Sequence, residues 1–132
     1  MPIIRQNEAP LEEWTGEGRN AELGPYTARL LSDAGGLTQF GAFVETLKPG
    51  ARSSHQHWHE REDEFVYVLA GTVTLLEGET ASDMRPGDAA TFKAGWRLGI
   101  VSKTGRTRMS PISSSAPARR TRWCITPRRI CC

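Results

Sequence analysis

Three histidines and four acidic residues occupy one ten-residue stretch whose spacing suits metal chemistry. Residues 55–64 read HQHWHEREDE, and His55, His57 and His59 are the only histidines in the 132-residue chain. In an extended strand, alternate side chains share a face, so imidazoles two residues apart can converge on one ion. Glu64 begins the next apolar run and can add a carboxylate from an adjoining strand. Two histidines and a carboxylate, with open positions opposite, suit iron(II), manganese or a related divalent metal.

The alternative interpretation is a solvated turn, because charged runs such as EREDE usually face water. On that interpretation, the two-residue spacing of the histidines and their position directly before a strand would be a coincidence. We therefore predict a metal site containing two of the histidines and Glu64. The other three acidic residues of the stretch are assigned to solvent: Glu60, Glu62 and Asp63.

Short strands must position these side chains, because helical patterns are weak throughout the first 95 residues. Apolar segments with β-forming residues alternate with glycine and Pro-Gly turns, which is typical of an antiparallel sandwich or barrel. The Ala70–Gly71 junction predicts a tight hairpin, and residues before 37 are expected to have little structure of their own. The predicted strands lie at 37–47, 64–71, 72–79 and 89–95.

Length and composition predict one domain that stays in the cytoplasm. A chain of 14.6 kDa can bury one core. Its first residues, MPIIRQNEAPLEEW, do not follow the pattern of a secretory signal, and no apolar stretch approaches the roughly 20 residues of a membrane helix. We expect no membrane partner.

Charge divides the chain sharply near residue 95. All 15 acidic residues lie in 1–95 beside eight basic ones, whereas 96–132 carries nine basic residues and no acid. The three cysteines (Cys124, Cys131 and Cys132) also fall in the second part. Their spacing excludes a CxxC metal or redox motif, a disulfide framework and a zinc knuckle.

The stretch around the histidines resembles the first motif of the cupin superfamily. Gly50, the HWH of His57 and His59, Glu64 and Gly71 follow its spacing, with a leading gap one residue longer than usual. The resemblance covers roughly residues 25–95 and extends to RPGDAATFKAG. It implies a jelly-roll β-barrel whose divalent metal (Fe, Mn, Ni or Zn) is bound by His57, His59, Glu64 and one later histidine. If the motif is aligned so that its histidine pair is His55 and His57, its glutamate no longer falls at the required distance from Gly71. His55 is therefore left as a possible additional ligand.

The resemblance stops after Gly95, where the second motif requires a histidine and an asparagine. The chain instead reads GWRLGIVSKTG, and no histidine follows His59. A reading frame shifted by one base explains both this loss and the change in charge, since permitted codons then give histidine at Ile100 and asparagine at Thr104. The alternative is a genuine basic tail that binds nucleic acid or acidic lipid. Trp96 and Trp123 stand alone without an interleaved aromatic platform, so a nucleic-acid partner is not expected.

These patterns divide the chain into three parts: an N-terminal arm (1–24), a cupin barrel core (25–95) and an atypical basic tail (96–132). The tail lacks strand periodicity except at 98–102, so we expect an incomplete barrel with exposed strand edges and a disordered or frame-shifted C-terminus. Homodimerisation is a further expectation.

The resemblance implies a metal-binding protein of small-molecule metabolism, with dioxygenase-like or isomerase-like chemistry on a small-molecule ligand. A non-catalytic ligand-binding or sensor protein is the alternative, because this fold hosts both roles. An inactive product of a shifted frame is the third interpretation. Whether the chain is an enzyme is left open by the sequence.

Overall fold

The computed structural model describes residues 3–5, 7–97, 100–104 and 120–126, the last two ranges by their backbone. These residues form nine strands, a short helix α1 (Leu31–Ala34) and a 3-10 segment (Gly18–Leu23). The strands are β1 (Leu11–Trp14), β2 (Tyr26–Leu30), β3 (Gly41–Leu47), β4 (Glu64–Ala70), β5 (Val73–Glu77), β6 (Thr80–Met84), β7 (Ala89–Phe92), β8 (Ile100–Thr104) and β9 (Arg120–Thr126).

The strands build two sheets that enclose the core. The larger sheet has the order β1-β2-β3-β9-β4-β7 and the smaller one β6-β5-β8, with antiparallel neighbours throughout. Val68 of the larger sheet packs with Val73 and Met84 of the smaller sheet, and all three are buried. Along β4 the buried positions alternate with more exposed ones, as expected for a sheet with one face toward the core. Glu64 shares the buried face with Val68.

The predicted hairpin at Ala70–Gly71 is wrong. β4 pairs with β7 and β9, whereas β5 pairs with β6 and β8, so the chain leaves one sheet at Gly71 and enters the other. Gly71 adopts φ 74°, a left-handed conformation that glycine tolerates best. A local turn signal does not specify which sheet the following strand joins.

The segment before residue 37 has more structure than expected. β1 pairs with β2 from Leu11 opposite Arg29 to Trp14 opposite Tyr26, and β2 continues the ladder to β3. These strands gain their hydrogen bonds from neighbours that lie far along the chain, which local sequence patterns do not reveal. The boundary proposed at residue 24 stays a prediction.

The last third contributes two strands where the sequence suggested one. β8 confirms the strand expected near 98–102 and pairs with β5. β9 was not expected, yet it lies between β3 and β4 and pairs with both. A strand there can form hydrogen bonds along both edges, so tertiary pairing outweighs weak β-propensity. Residues 105–119 and 127–132, which include Cys131 and Cys132, lie outside the described residues.

The described sheets keep open edges, in line with the expected incomplete barrel. β7 ends the larger sheet, and β8 ends the smaller one, within the part of the chain that the structure describes. In the same residues, no helix has the length and apolar character required to cross a bilayer.

Candidate metal centre

An irregular segment, not a continuous strand, carries the histidines. The chain turns at Lys48–Ala51, where Gly50 has φ 85°, and reaches β4 at Glu64. Between them only Arg52 and His57 are bridge residues. The strict alternation expected of an extended strand is therefore absent, and the three histidines take different positions.

His57, His59 and Glu64 come together. One potential ligand atom from each lies within 4.8 Å of the other two. His59 Nε2 is 3.5 Å from Glu64 Oε2, and the two imidazole rings stand nearly perpendicular with centroids 4.9 Å apart. Ligand atoms bound at about 2.1 Å to one ion lie roughly 3.0–3.4 Å apart. The donor types therefore suit a divalent metal ion, and ligand atoms up to 4.8 Å apart would have to move closer together on binding.

The Nδ1 nitrogen of each cluster histidine faces an oxygen outside the ligand group, through a hydrogen bond for His57 and a longer contact for His59. His57 Nδ1 donates to the His55 carbonyl oxygen at 2.8 Å, because a carbonyl can only accept, and Ser54 Oγ lies 3.1 Å from the same nitrogen. His59 Nδ1 faces Glu62 Oε2 at 3.5 Å. The proton on His57 Nδ1 leaves the Nε2 lone pair of that ring available to a metal ion, and His59 turns its Nε2 toward Glu64.

His55 does not join the group. Its side chain is 59% exposed, and Nε2 lies 3.2 Å from Glu22 Oε1 and 3.4 Å from Asn20 Oδ1. The ring contacts the 3-10 segment instead of the cluster. His55 is therefore a suitable control position for mutagenesis of His57 and His59.

Of the acidic residues assigned to solvent, Glu62 lies within the site, whereas Asp63 is exposed, as expected. Glu62 is 15% exposed and approaches His59, and the Asp63 side chain accepts a hydrogen bond from the Ala94 amide at 2.8 Å. Carboxylates that face the second nitrogen of a metal-binding histidine orient the ring. The three-residue spacing between His59 and Glu62 is the sequence signal that would have indicated this role. Glu60 is exposed, as expected.

An open cleft of about 450 Å³ lies beside Glu64. Its volume falls in the range typical of small-ligand sites. It combines the carboxylates of Glu64 and Asp63, three aromatic rings and one ammonium group. The lining residues are Phe40, Asp63, Glu64, Phe65, Thr91, Phe92 and Lys93.

Comparison with known proteins identifies the family. The protein-family model for the Cupin domain matches residues 43–108, which is half of the chain. The chain belongs to the cupin family. The crystal structure of a sugar phosphate isomerase of the cupin superfamily from Silicibacter pomeroyi is 32% identical, with a TM-score of 0.80 over 97% of this chain and 76% of that one.

Two further structures extend the comparison. A candidate sugar phosphate isomerase from Acidithiobacillus ferrooxidans is 25% identical to this cupin, with a TM-score of 0.68 over 83% of this chain and 63% of that one. The polyketide cyclase RemF from Streptomyces resistomycificus is 19% identical, with a TM-score of 0.64 over 96% and 78% of the two chains; this likeness concerns the fold. No curated protein gives a significant sequence match. The expected all-β cupin fold is confirmed.

Proposed function

We propose that this cupin binds a divalent metal ion through His57, His59 and Glu64 and isomerises a small sugar phosphate. The observation that carries the proposal is the clustering of these three side chains in a chain 32% identical to a sugar phosphate isomerase. A cluster without the likeness would support metal binding alone. The likeness without the cluster would support only the family.

Each group of the site has a part in this chemistry. A bound divalent ion supplies Lewis acidity that polarises a carbonyl or hydroxyl oxygen. His57 and His59 would each offer a ring nitrogen, Glu64 would contribute a carboxylate oxygen, and Glu62 approaches the far side of the His59 ring and would orient it. Lys93 supplies the neighbouring cleft with one ammonium group for an anionic group such as phosphate, beside the carboxylates of Asp63 and Glu64.

Isomerisation between an aldose and a ketose moves one proton from the carbon beside the carbonyl to the carbonyl carbon, and a second proton from the hydroxyl oxygen to the carbonyl oxygen. The hydroxyl and carbonyl exchange places within the same molecule, so no co-reactant is consumed. A site that polarises one oxygen and excludes water on one side favours this reaction, which also needs a base to carry the proton between the two carbons. The aromatic lining of the cleft offers such a dry wall.

Metal binding is tested first by titrating purified protein with Mn²⁺ in a calorimeter. We expect the double variant His57→Ala/His59→Ala to lose more affinity than the roughly 10- to 100-fold typical of changes around a metal site. His55→Ala is the matched control, because it removes the third imidazole without touching the cluster, and it should bind Mn²⁺ as the parent does. Equal affinity in the parent and the double variant would exclude the assignment.

Turnover is tested by incubating the Mn²⁺-loaded protein with a panel of aldose and ketose phosphates in deuterated water. Isomerisation appears in proton spectra as interconversion accompanied by exchange at the carbon next to the carbonyl. Activity that disappears in the double variant and persists in His55→Ala would support the proposed reaction.

A ligand-binding protein without turnover is the second candidate. It is favoured by the absence of any histidine after His59, since the resemblance implied a further ligand in the second motif. Tight, metal-dependent binding of a sugar phosphate without interconversion would favour this role over the isomerase.

A further inference from the structure

Regular strand pairing does not fix the segment that leads from His59 to Glu64. Residues 58–63 are outside regular strands, so no continuous sheet ladder determines how far His59 stands from Glu64. A metal site requires its ligands to be held to within about half an ångström. Some other part of the fold must therefore set this separation.

The end of β7 and the turn after it provide three anchors in succession. Phe92 pairs with Glu64 in the ladder between β4 and β7. The Ala94 amide donates to Asp63 Oδ1 at 2.8 Å, and the Gly95 amide donates to the His59 carbonyl oxygen at 2.8 Å. A single short stretch, 92–95, thus contacts both ligands and the residue that precedes Glu64.

The turn itself is fixed from two sides. The Trp96 amide donates to the Lys93 carbonyl oxygen at 3.0 Å, and Trp96 Nε1 donates to Glu77 Oε1 of β5 at 2.7 Å. Gly95 adopts φ 81°, which an L side chain rarely takes, and this conformation directs its amide toward His59. The turn that carries the Ala94 and Gly95 amides is therefore attached to the sheet framework.

We propose that Asp63 is a positioning residue of the metal centre: its carboxylate ties the segment to the turn after β7 and holds His59 and Glu64 at their ligand spacing. This inference rests on the proposed metal site. Asp63 itself does not belong to the ligand cluster. Its Oδ1 atom accepts the hydrogen bond from the Ala94 amide. Asp63 therefore acts on the ion indirectly, by fixing the positions of His59 and Glu64.

The test compares Mn²⁺ affinity with fold stability in matched variants. Asp63→Ala should weaken Mn²⁺ binding about 10- to 100-fold, as loss of a supporting contact around a metal typically does. Asp63→Asn keeps an oxygen acceptor for Ala94 and should stay within about threefold of the parent. Asp88→Ala is the control, because Asp88 Oδ2 accepts an equivalent hydrogen bond from the Arg85 amide at 2.7 Å in the turn between β6 and β7. It should lower the melting temperature similarly while leaving Mn²⁺ affinity unchanged.

A second pair of variants covers the case in which Asp63→Ala does not fold. Gly95→Ala strains the same turn while keeping Asp63, and Gly87→Ala introduces comparable strain at φ 95° in the other turn. Gly95→Ala should weaken Mn²⁺ binding, and Gly87→Ala should not. Parent-like Mn²⁺ affinity in folded Asp63→Ala, or in Gly95→Ala if Asp63→Ala is unfolded, overturns the positioning role alone. A parent protein that binds no Mn²⁺ overturns the metal centre and the positioning role together.

Discussion

The candidate centre depends on which ring nitrogen of His57 and of His59 carries a proton. His57 and His59 both direct Nδ1 at an oxygen acceptor, the His55 carbonyl in one case and Glu62 in the other. The His57 contact is a hydrogen bond to the backbone, whereas the His59 contact is a 3.5 Å approach to a side chain. The contact to Glu62 can be removed by mutation without loss of a ligand, whereas the backbone contact cannot.

Tyr26 shows how a polar pair on the larger sheet couples stability to pH. Tyr26 donates a hydrogen bond to Glu12 Oε1 at 2.6 Å. Burial, followed by this hydrogen bond, raises the pKa of Tyr26 above its ordinary value near 10. Above pH 10 the unfolded chain loses the phenol proton while the folded chain keeps it. The contribution of Tyr26 to the free energy of unfolding is therefore fully present below pH 10 and decreases as the pH rises further.

We expect Tyr26→Phe to lower the free energy of unfolding by about 1 kcal/mol at pH 7, the usual net value of one hydrogen bond. The stability difference from the parent should be constant between pH 7 and 9 and shrink above pH 10. Urea unfolding at pH 7, 9 and 10.5 measures it. Tyr67→Phe is the control, since Tyr67 is 37% exposed on the outer face of β4. A loss at pH 7 as large in Tyr67→Phe as in Tyr26→Phe would contradict the explanation.

At the scale of elements, β9 joins the two halves of the larger sheet. Seven of its residues pair with β3, from Gly41 opposite Thr126 to Leu47 opposite Arg120, and the other edge pairs with β4. Without β9, β3 and β4 each lose a neighbour near the metal cluster. The position of β9 thus determines whether Glu64 sits in an interior or an edge strand.

We expect a chain that ends at residue 119 to lose cooperative unfolding, because the edges of β3 and β4 would both be left unpaired. A chain that ends at residue 126 keeps β9 and serves as the control. Circular dichroism during thermal unfolding distinguishes the two. Identical melting curves for both truncated chains would instead support the sequence-based expectation of a disordered C-terminus.

On the whole-molecule scale, the outer face of β4 is notably apolar. Phe65 and Tyr67 stack with ring centroids 6.5 Å apart, and Leu69 is 41% exposed on the same face. Exposed apolar patches beside open sheet edges favour association. Homodimerisation and a cytoplasmic location both stay predictions, as does the shifted reading frame.

We expect the protein to associate with itself through this face. Leu69→Lys should raise the dissociation constant of the associated form at least tenfold, because a charge would have to be buried. Ser82→Lys adds the same charge on an exposed position of β6 and should have little effect. Sedimentation velocity over a range of concentrations measures both, and a parent protein that stays monomeric throughout would refute the prediction.

The local sequence was sufficient to predict the β-rich fold, the strands around β3, β4, β5 and β7, and the residue types of the candidate site. Alternation, turn-forming glycines and histidine spacing are short-range properties, so they can be read from neighbouring residues. Tertiary structure decided that His55 stands apart, that Gly71 leads into another sheet and that β9 fills the gap between β3 and β4. It also brought Asp63 to Ala94 across 31 residues. Such contacts depend on which distant strands pair, and that is determined by packing of the whole chain.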